Sequence, residues 1–75
     1  MEERQVNVGL YANCVQVGFN RAEFVLDFCQ FYPASELPVL TARIVTSPLY
    51  ASAFANVLSD SVKRYEEEHG AIPKD

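Results

Sequence analysis

The sequence has few of the residues that mark several large classes of protein. Its 75 residues include two cysteines, one histidine, three glycines and four prolines. Two cysteines cannot hold a disulfide-rich scaffold together, and so few glycines and prolines exclude a low-complexity chain. No apolar run approaches the roughly 18 residues of a membrane helix. The first residues show no basic stretch followed by an apolar run, so no secretory signal is expected. We therefore expect a cytoplasmic protein with a single domain over residues 1–75 and an ordered core over about 5–70.

Basic charge is also scarce. Six Lys and Arg residues stand against ten Asp and Glu residues, which gives a formal net charge of −4. Binding to nucleic acid depends on basic side chains that neutralise phosphates, and anionic membranes attract clusters of the same residues. The six basic residues are scattered along the chain. We therefore expect neither nucleic acid nor a membrane as a partner.

Residues 5–19 predict a strand whose apolar alternation changes phase. Apolar residues occupy even positions up to Cys14 and odd positions from Val15 onward. A shift of one residue exchanges the two faces of a strand. We therefore expect a bulge or a break near Asn13 and Cys14.

A hairpin is predicted to follow, with a polar loop at 20–23 and a second strand, rich in aromatic residues and valine, at 24–31. Centring the hairpin on the loop places three apolar pairs on one face: Phe19 with Phe24, Val17 with Leu26, and Val15 with Phe28. The opposite face then carries the pairs Gln16 with Asp27 and Cys14 with Cys29. We call these the first face and the second face.

Residues 39–46 predict a third strand, after a connection at 33–38 whose two prolines exclude a helix. One antiparallel register brings opposite charges together, and we prefer it for that reason. On the first face it pairs Leu26 with Ile44 and Phe28 with Ala42, and on the second face Asp27 with Arg43 and Val25 with Val45.

Ser47 and Pro48 predict the start of a helix, because serine caps free N–H groups and proline is tolerated at the first position. The helix should end near His69, since Gly70 suits the residue just past a helix and Pro73 follows. One side is apolar, namely Tyr50, Ala51, Phe54, Ala55, Val57, Leu58, Val62 and Tyr65. That side should pack on the first face, against Val15, Val17, Phe19, Phe24, Leu26, Phe28, Ala42 and Ile44.

The predicted fold class is therefore α+β, a three-stranded antiparallel sheet in the order β-β-β-α with the C-terminal helix on one face. The second face should carry Val25, Cys29, Phe31, Val39 and Val45 among Gln16, Asp27, Thr41 and Arg43. That face is too apolar to remain wholly in water, and residues 5–11 project beyond the first hairpin. We therefore expect a homo-oligomer, a dimer or a tetramer, whose sheets pair at their edges or stack on their faces.

Several segments, taken in order and spacing, resemble a known family. They are 13–17, 23–28, 42–45, Ser47 with Pro48, and Tyr65 with Glu66 and Gly70. The family is a small prokaryotic one, the domain of unknown function numbered thirty-four sixty-seven, and the resemblance covers about residues 10–72. Cys14 and Cys29 depart from it, since an aromatic residue and a small residue are expected there. The resemblance implies a small intracellular protein of uncharacterised function, and it supplies no catalytic residue.

The sequence suggests no catalytic residue, cofactor or metal site, so we do not expect an enzyme. A metal site needs more ligands than the single histidine, His69, and two cysteines supply. Asp27 and Arg43 either anchor a ligand or partner or form an ion pair that sets the register. Cys14 and Cys29 are either a redox switch or, as we prefer, reduced small hydrophobic residues. The residues predicted to contact a partner are Tyr11, Gln16, Val25, Asp27, Phe31, Arg43 and Val45.

Three functions fit these patterns. The first is a non-enzymatic, homo-oligomeric interaction module, which requires a stable oligomer in solution. The second is a chaperone-like or peptide-binding module that captures extended chains, which requires suppression of aggregation of an unfolded client. The third is a ligand-binding or enzymatic site between subunits, which requires an inter-subunit pocket.

Overall fold

The fold follows the predicted order of elements. The computed structural model describes residues 9–34 and 36–74. Three strands, β1 (Cys14–Phe19), β2 (Phe24–Gln30) and β3 (Val39–Thr46), precede one helix, α1 (Pro48–His69). The strands form one antiparallel sheet in the order β1-β2-β3. The predicted α+β class, with its strand order and C-terminal helix, is confirmed.

The loop between β1 and β2 is closed by a single asparagine. The side-chain oxygen of Asn20 accepts hydrogen bonds from the backbone N–H groups of Ala22 at 2.8 Å and Glu23 at 2.9 Å. The backbone N–H of Asn20 donates to the carbonyl of Glu23 at 3.0 Å. Such a side-chain acceptor stabilises a turn locally. The predicted register of this hairpin is confirmed, from Cys14 opposite Cys29 to Phe19 opposite Phe24.

The predicted break near Asn13 and Cys14 is also confirmed. Strand β1 begins only at Cys14, and residues 9–13 are not in a strand. The N–H of Asn13 donates to the carbonyl of Cys29 at 3.0 Å, and Cys29 is also the residue opposite Cys14. Two residues thus face one, which is the geometry of a β-bulge. The rest of the strand predicted from residue 5 lies outside the described residues.

The hairpin of β2 and β3 has the predicted register over most of its length. The four predicted pairs, including Asp27 with Arg43, are present. Beyond them the register shifts, because Cys29 pairs with Leu40 and Gln30 pairs with Val39. The prediction that Val39 lies with Cys29 on the second face was therefore wrong, and Thr41 stands opposite no residue of β2. A bulge at Thr41 reverses the alternation, and it brings Leu40 beside Cys29 instead.

Helix α1 begins and ends where its capping residues predict. The side chain of Ser47 accepts a hydrogen bond from the N–H of Tyr50 at 3.2 Å, and Pro48 occupies the first helical position. Gly70 follows the last turn with φ +92°, a backbone conformation that favours glycine, and its N–H donates to the carbonyl of Glu66 at 2.9 Å. In the part of the chain that the structure describes, no helix combines the length and apolar character needed to cross a membrane.

The contact between α1 and the sheet is narrower than the sequence predicts. The residues that face each other across an open groove of about 250 Å³ are Ala51, Phe54, Ala55 and Leu58 of α1 and Val17, Phe24 and Leu26 of the sheet. No residue of α1 is buried. On the first face, Val15 and Ile44 are exposed and Phe19 is 74% exposed. Among the described apolar residues only Cys29 is buried, so residues 9–34 and 36–74 of a single copy form almost no closed core.

Candidate binding site

The best-defined polar feature of the second face is the ion pair of Asp27 and Arg43. The two residues are direct partners on β2 and β3, as predicted. Nε of Arg43 donates to Oδ1 of Asp27 at 2.7 Å, and Nη2 donates to Oδ2 at 2.9 Å. This bidentate arrangement holds the planar guanidinium in one orientation. Asp27 is half-buried, whereas the side chain of Arg43 is 58% exposed.

The ion pair keeps both of its members charged. The hydrogen bond from Arg43, helped by the positive charge, holds the pKa of the Asp27 carboxyl below its usual value of 3.8, against a smaller opposing effect of burial. The same hydrogen bond raises the pKa of Arg43. A guanidinium has five N–H donors, and Asp27 takes two of them. Within the described part of the chain, the other three N–H groups of Arg43 therefore remain for another acceptor.

A pocket of about 310 Å³ lies beside this ion pair. Its lining combines a polar side with an apolar side, and the residues are Gln16, Asp27, Cys29, Leu37, Pro38, Leu40 and Arg43. Leu40 reaches the pocket because of the bulge in β3, and Leu37 and Pro38 come from the connection that precedes this strand. The pocket can therefore receive a group that is polar at one end and apolar at the other.

The two cysteines lie opposite each other in the pair of the first hairpin that is farthest from its loop, and both are free thiols. Cys29 is buried and Cys14 is half-buried. Burial raises the pKa of the Cys29 thiol, and Cys14 and the charge of Asp27 act in the same direction. The thiol rather than the thiolate is thus favoured, and a buried thiol reacts slowly. Cys29 contributes a small, weakly polar surface to the pocket.

The structure brings together only some of the residues that the sequence singles out for partner contact. Gln16, Asp27 and Arg43 line the pocket. Val25 and Val45 are paired with each other on the same face, but they lie outside the pocket lining. Two further residues are elsewhere, because Phe31 follows the end of β2 and Tyr11 precedes β1.

Sequence reasoning missed the apolar side of the pocket. Leu37 and Pro38 belong to a segment that the sequence marks only as a non-helical connection, and a connection's path cannot be read from its composition. Regular alternation with Thr41 and Arg43 would place Leu40 on the first face, because an alternating pattern does not show where a bulge lies. The lone threonine between Leu40 and Ala42 carries no signal that would have revealed it.

The end of α1 forms a second small group of contacts. The rings of Tyr65 and His69 lie with their centres 4.8 Å apart, and the carboxylate of Glu66 accepts a hydrogen bond from the N–H of Ile72 at 3.1 Å. His69 is the last residue of α1, as predicted. Within residues 9–34 and 36–74, no group of three or more His, Cys, Asp or Glu side chains is arranged to hold a metal ion.

Comparison with known proteins identifies the family. No curated protein matches the chain, and no solved structure matches it. The family model described as a protein of unknown function, DUF3467, matches residues 2–74, which is nearly the whole chain. The resemblance seen in the order and spacing of the sequence segments is thereby confirmed, and the chain belongs to the family DUF3467.

Proposed function

We propose that this chain is a non-enzymatic interaction module that associates with further copies of itself through the first face of the sheet and the first half of α1. The observation that carries the proposal is the exposure of apolar side chains on both sides of the groove between α1 and the sheet. Contiguous apolar surface of this kind marks sites of protein interaction. The groove separates two apolar layers that a second copy could bring into contact.

The distribution of charge along α1 supports self-association through the same surface. Its first twelve residues, 48–59, contain no Asp, Glu, Lys or Arg, and charge begins at Asp60. A helix segment without charge on any side is typical of burial on more than one side. In a single copy this segment meets the sheet through one side only. Tyr50 and Val57, two turns apart on the neighbouring side, are 68% and 63% exposed.

A second copy of the chain fits this surface better than a charged partner does. The net charge is −4, yet the surface offers no charge for a partner to complement. Two copies related by a twofold axis would present the same uncharged surface to each other and keep the acidic residues at 66–68 in water. Complete burial of one large apolar side chain contributes about 1.5–3 kcal/mol. Several such residues would add a stabilisation comparable to that of a whole small domain, about 5–15 kcal/mol.

The test is the solution mass of the full chain, measured by light scattering across a dilution series in the micromolar range. We expect a dimer or tetramer that survives dilution. A monomer at every concentration would contradict the proposal, and the apolar surface would then be available to a different protein, as in the chaperone-like alternative.

A matched pair of variants locates the interface. Val57→Glu places a charge on the exposed apolar side of α1 and should shift the mass toward the monomer. Asn56→Glu places the same charge one residue away, about 100° around the helix, and should leave the mass unchanged. Circular dichroism of both variants shows whether the helix is retained. An oligomer that tolerates both charges equally would exclude this surface of α1 from the interface.

A further inference from the structure

We propose that the pocket on the second face is a binding site for a small carboxylate with a branched apolar body. The pocket is the one lined by Gln16, Leu37, Pro38, Leu40 and the ion pair, with Cys29 among its residues. It lies on the face of the sheet opposite the surface proposed for self-association. The two proposals therefore depend on different residues and can fail separately.

The polar side of the pocket is rich in donors. Arg43 keeps three N–H groups after its two hydrogen bonds to Asp27, and the amide of Gln16 adds two more N–H groups. Each carboxylate oxygen of Asp27 already accepts one hydrogen bond from Arg43. A ligand that supplies acceptors matches the unused N–H groups, and a carboxylate supplies two in the geometry that a guanidinium edge matches.

Asp27 acts as a positioning residue for Arg43. A free arginine side chain loses rotamer entropy when it binds a ligand, but the bidentate contact with Asp27 already holds this guanidinium in place. Its exposure, 58%, leaves the free edge accessible. The negative charge of Asp27 also opposes an anionic ligand, so the attraction is partial. We therefore expect binding in the millimolar range for a ligand of about eight non-hydrogen atoms.

The apolar side of the pocket selects the body of the ligand. Leu37, Pro38 and Leu40 line it next to the buried Cys29. Burial raises the pKa of the Cys29 thiol, so at neutral pH this surface is uncharged and compatible with an aliphatic group. The volume, about 310 Å³, lies at the small end of the range for ligand pockets, roughly 300–1,000 Å³. A short branched aliphatic chain fits within this volume and matches the aliphatic side chains that line it.

The experiment is a titration of the full-length, ¹⁵N-labelled protein with 4-methylpentanoate, followed by NMR. We expect saturable shifts of the Arg43 Nε–H signal, the Gln16 side-chain amide and the backbone amides of Leu40 and Cys29. The neutral analogue 4-methylpentanamide should bind about tenfold more weakly, because it lacks the charge-assisted hydrogen bonds. Absence of saturable shifts with the acid, or equal binding of acid and amide, would overturn the proposal.

Two variants assign the binding to the guanidinium. Arg43→Lys keeps the positive charge but loses the planar pair of donors, and it should weaken binding about tenfold. Arg21→Lys makes the same change in the exposed loop 20–23 and should bind as the unaltered protein does. Dispersed spectra of both variants establish that they are folded. Undiminished binding by folded Arg43→Lys would remove Arg43 from the site.

One further probe distinguishes two sources of the same chemistry. N-acetyl-leucine presents the carboxylate and side chain of a polypeptide C-terminus, whereas 4-methylpentanoate is a free small acid. Tighter binding of N-acetyl-leucine would support the carboxylate site with a chain terminus as its ligand, and tighter binding of 4-methylpentanoate would support it with a free acid. Light scattering on the same samples measures self-association independently, so a loss of carboxylate binding is distinguished from a loss of self-association.

Discussion

The side-chain amide of Asn13 satisfies both backbone polar groups of Phe31. Its Nδ2 donates to the carbonyl of Phe31 at 3.2 Å, and its Oδ1 accepts from the N–H of Phe31 at 2.8 Å. Strand β1 begins only at Cys14, so a side chain continues the ladder where backbone pairing has stopped. The asparagine thereby ties the bulge at the start of β1 to the residue that follows β2.

This relationship predicts a local loss of stability in Asn13→Ala. Two hydrogen bonds are removed, each with a net contribution of about 0.5–1.5 kcal/mol, and the site is exposed. We expect the free energy of unfolding to fall by about 1–2 kcal/mol, measured by urea denaturation at one fixed protein concentration. Asn13→Asp keeps the acceptor for the Phe31 N–H, so its free energy of unfolding should fall less than that of Asn13→Ala. The control is Asn56→Ala, which replaces an exposed asparagine on α1. A loss of stability in this control as large as in Asn13→Ala would contradict the stabilising role given to the hydrogen bonds between Asn13 and Phe31.

The Asp27–Arg43 pair predicts a dependence of stability on pH. The pKa of Asp27 is lower in the folded chain than its usual value of 3.8, because Arg43 donates to the ionised form. A group whose pKa is lowered on folding stabilises the folded state above its unfolded pKa. That contribution should be present at neutral pH and should disappear as the pH falls below 3.8 and through the folded pKa.

Urea denaturation repeated at a series of acidic pH values measures this effect. Asp27→Asn should be less stable than the unaltered protein at neutral pH, and the difference should narrow as the pH is lowered into the acid range. Asp60→Asn removes a carboxylate from the exposed surface of α1 and provides the comparison. A stability difference for Asp27→Asn that stays constant across the titration would show that the lowered pKa contributes nothing.

The opposed cysteines predict unequal thiol reactivity. Cys29 is buried and its pKa is raised, chiefly by that burial, whereas Cys14 is only half-buried. Because the thiolate is the reactive form, iodoacetamide at neutral pH should modify Cys14 well before Cys29. Peptide mapping by mass spectrometry over a time course gives both rates from one sample. Equal rates, or faster labelling of Cys29, would contradict the burial of Cys29 in the lining of the pocket.

The start of α1 predicts a capping effect. The Ser47 side chain accepts from the N–H of Tyr50, and loss of such an acceptor costs about 1 kcal/mol. Ser47→Ala should lower the midpoint of thermal unfolding followed by circular dichroism, and Ser47→Asp should restore it, since an acidic residue at a helix N-terminus is favourable. Ser59→Ala, in the helix interior, should not lower it. A cap variant no less stable than the interior variant would argue against the hydrogen bond.

Local features of the chain could be predicted from the sequence because they depend on residues that are close together in it. The hairpin register follows from a loop of fixed length, and the bounds of α1 follow from the capping serine, the proline and Gly70. The pairing of Asp27 with Arg43 could also be predicted, because few registers of a hairpin place opposite charges directly across from each other. The change of phase near Asn13 likewise predicted a real irregularity.

The sequence by itself therefore determined the elements, their order and most of their pairing, because capping, alternation and loop length act over short distances. Only the tertiary structure decided that β3 contains a bulge, that Leu40 meets Cys29, and that Leu37 and Pro38 complete a pocket with the ion pair. It also decided how much of the first face α1 covers. Those outcomes depend on how segments distant in sequence pack in three dimensions. An apolar pattern predicts that a side chain favours burial, but it does not predict which residues will pack against it.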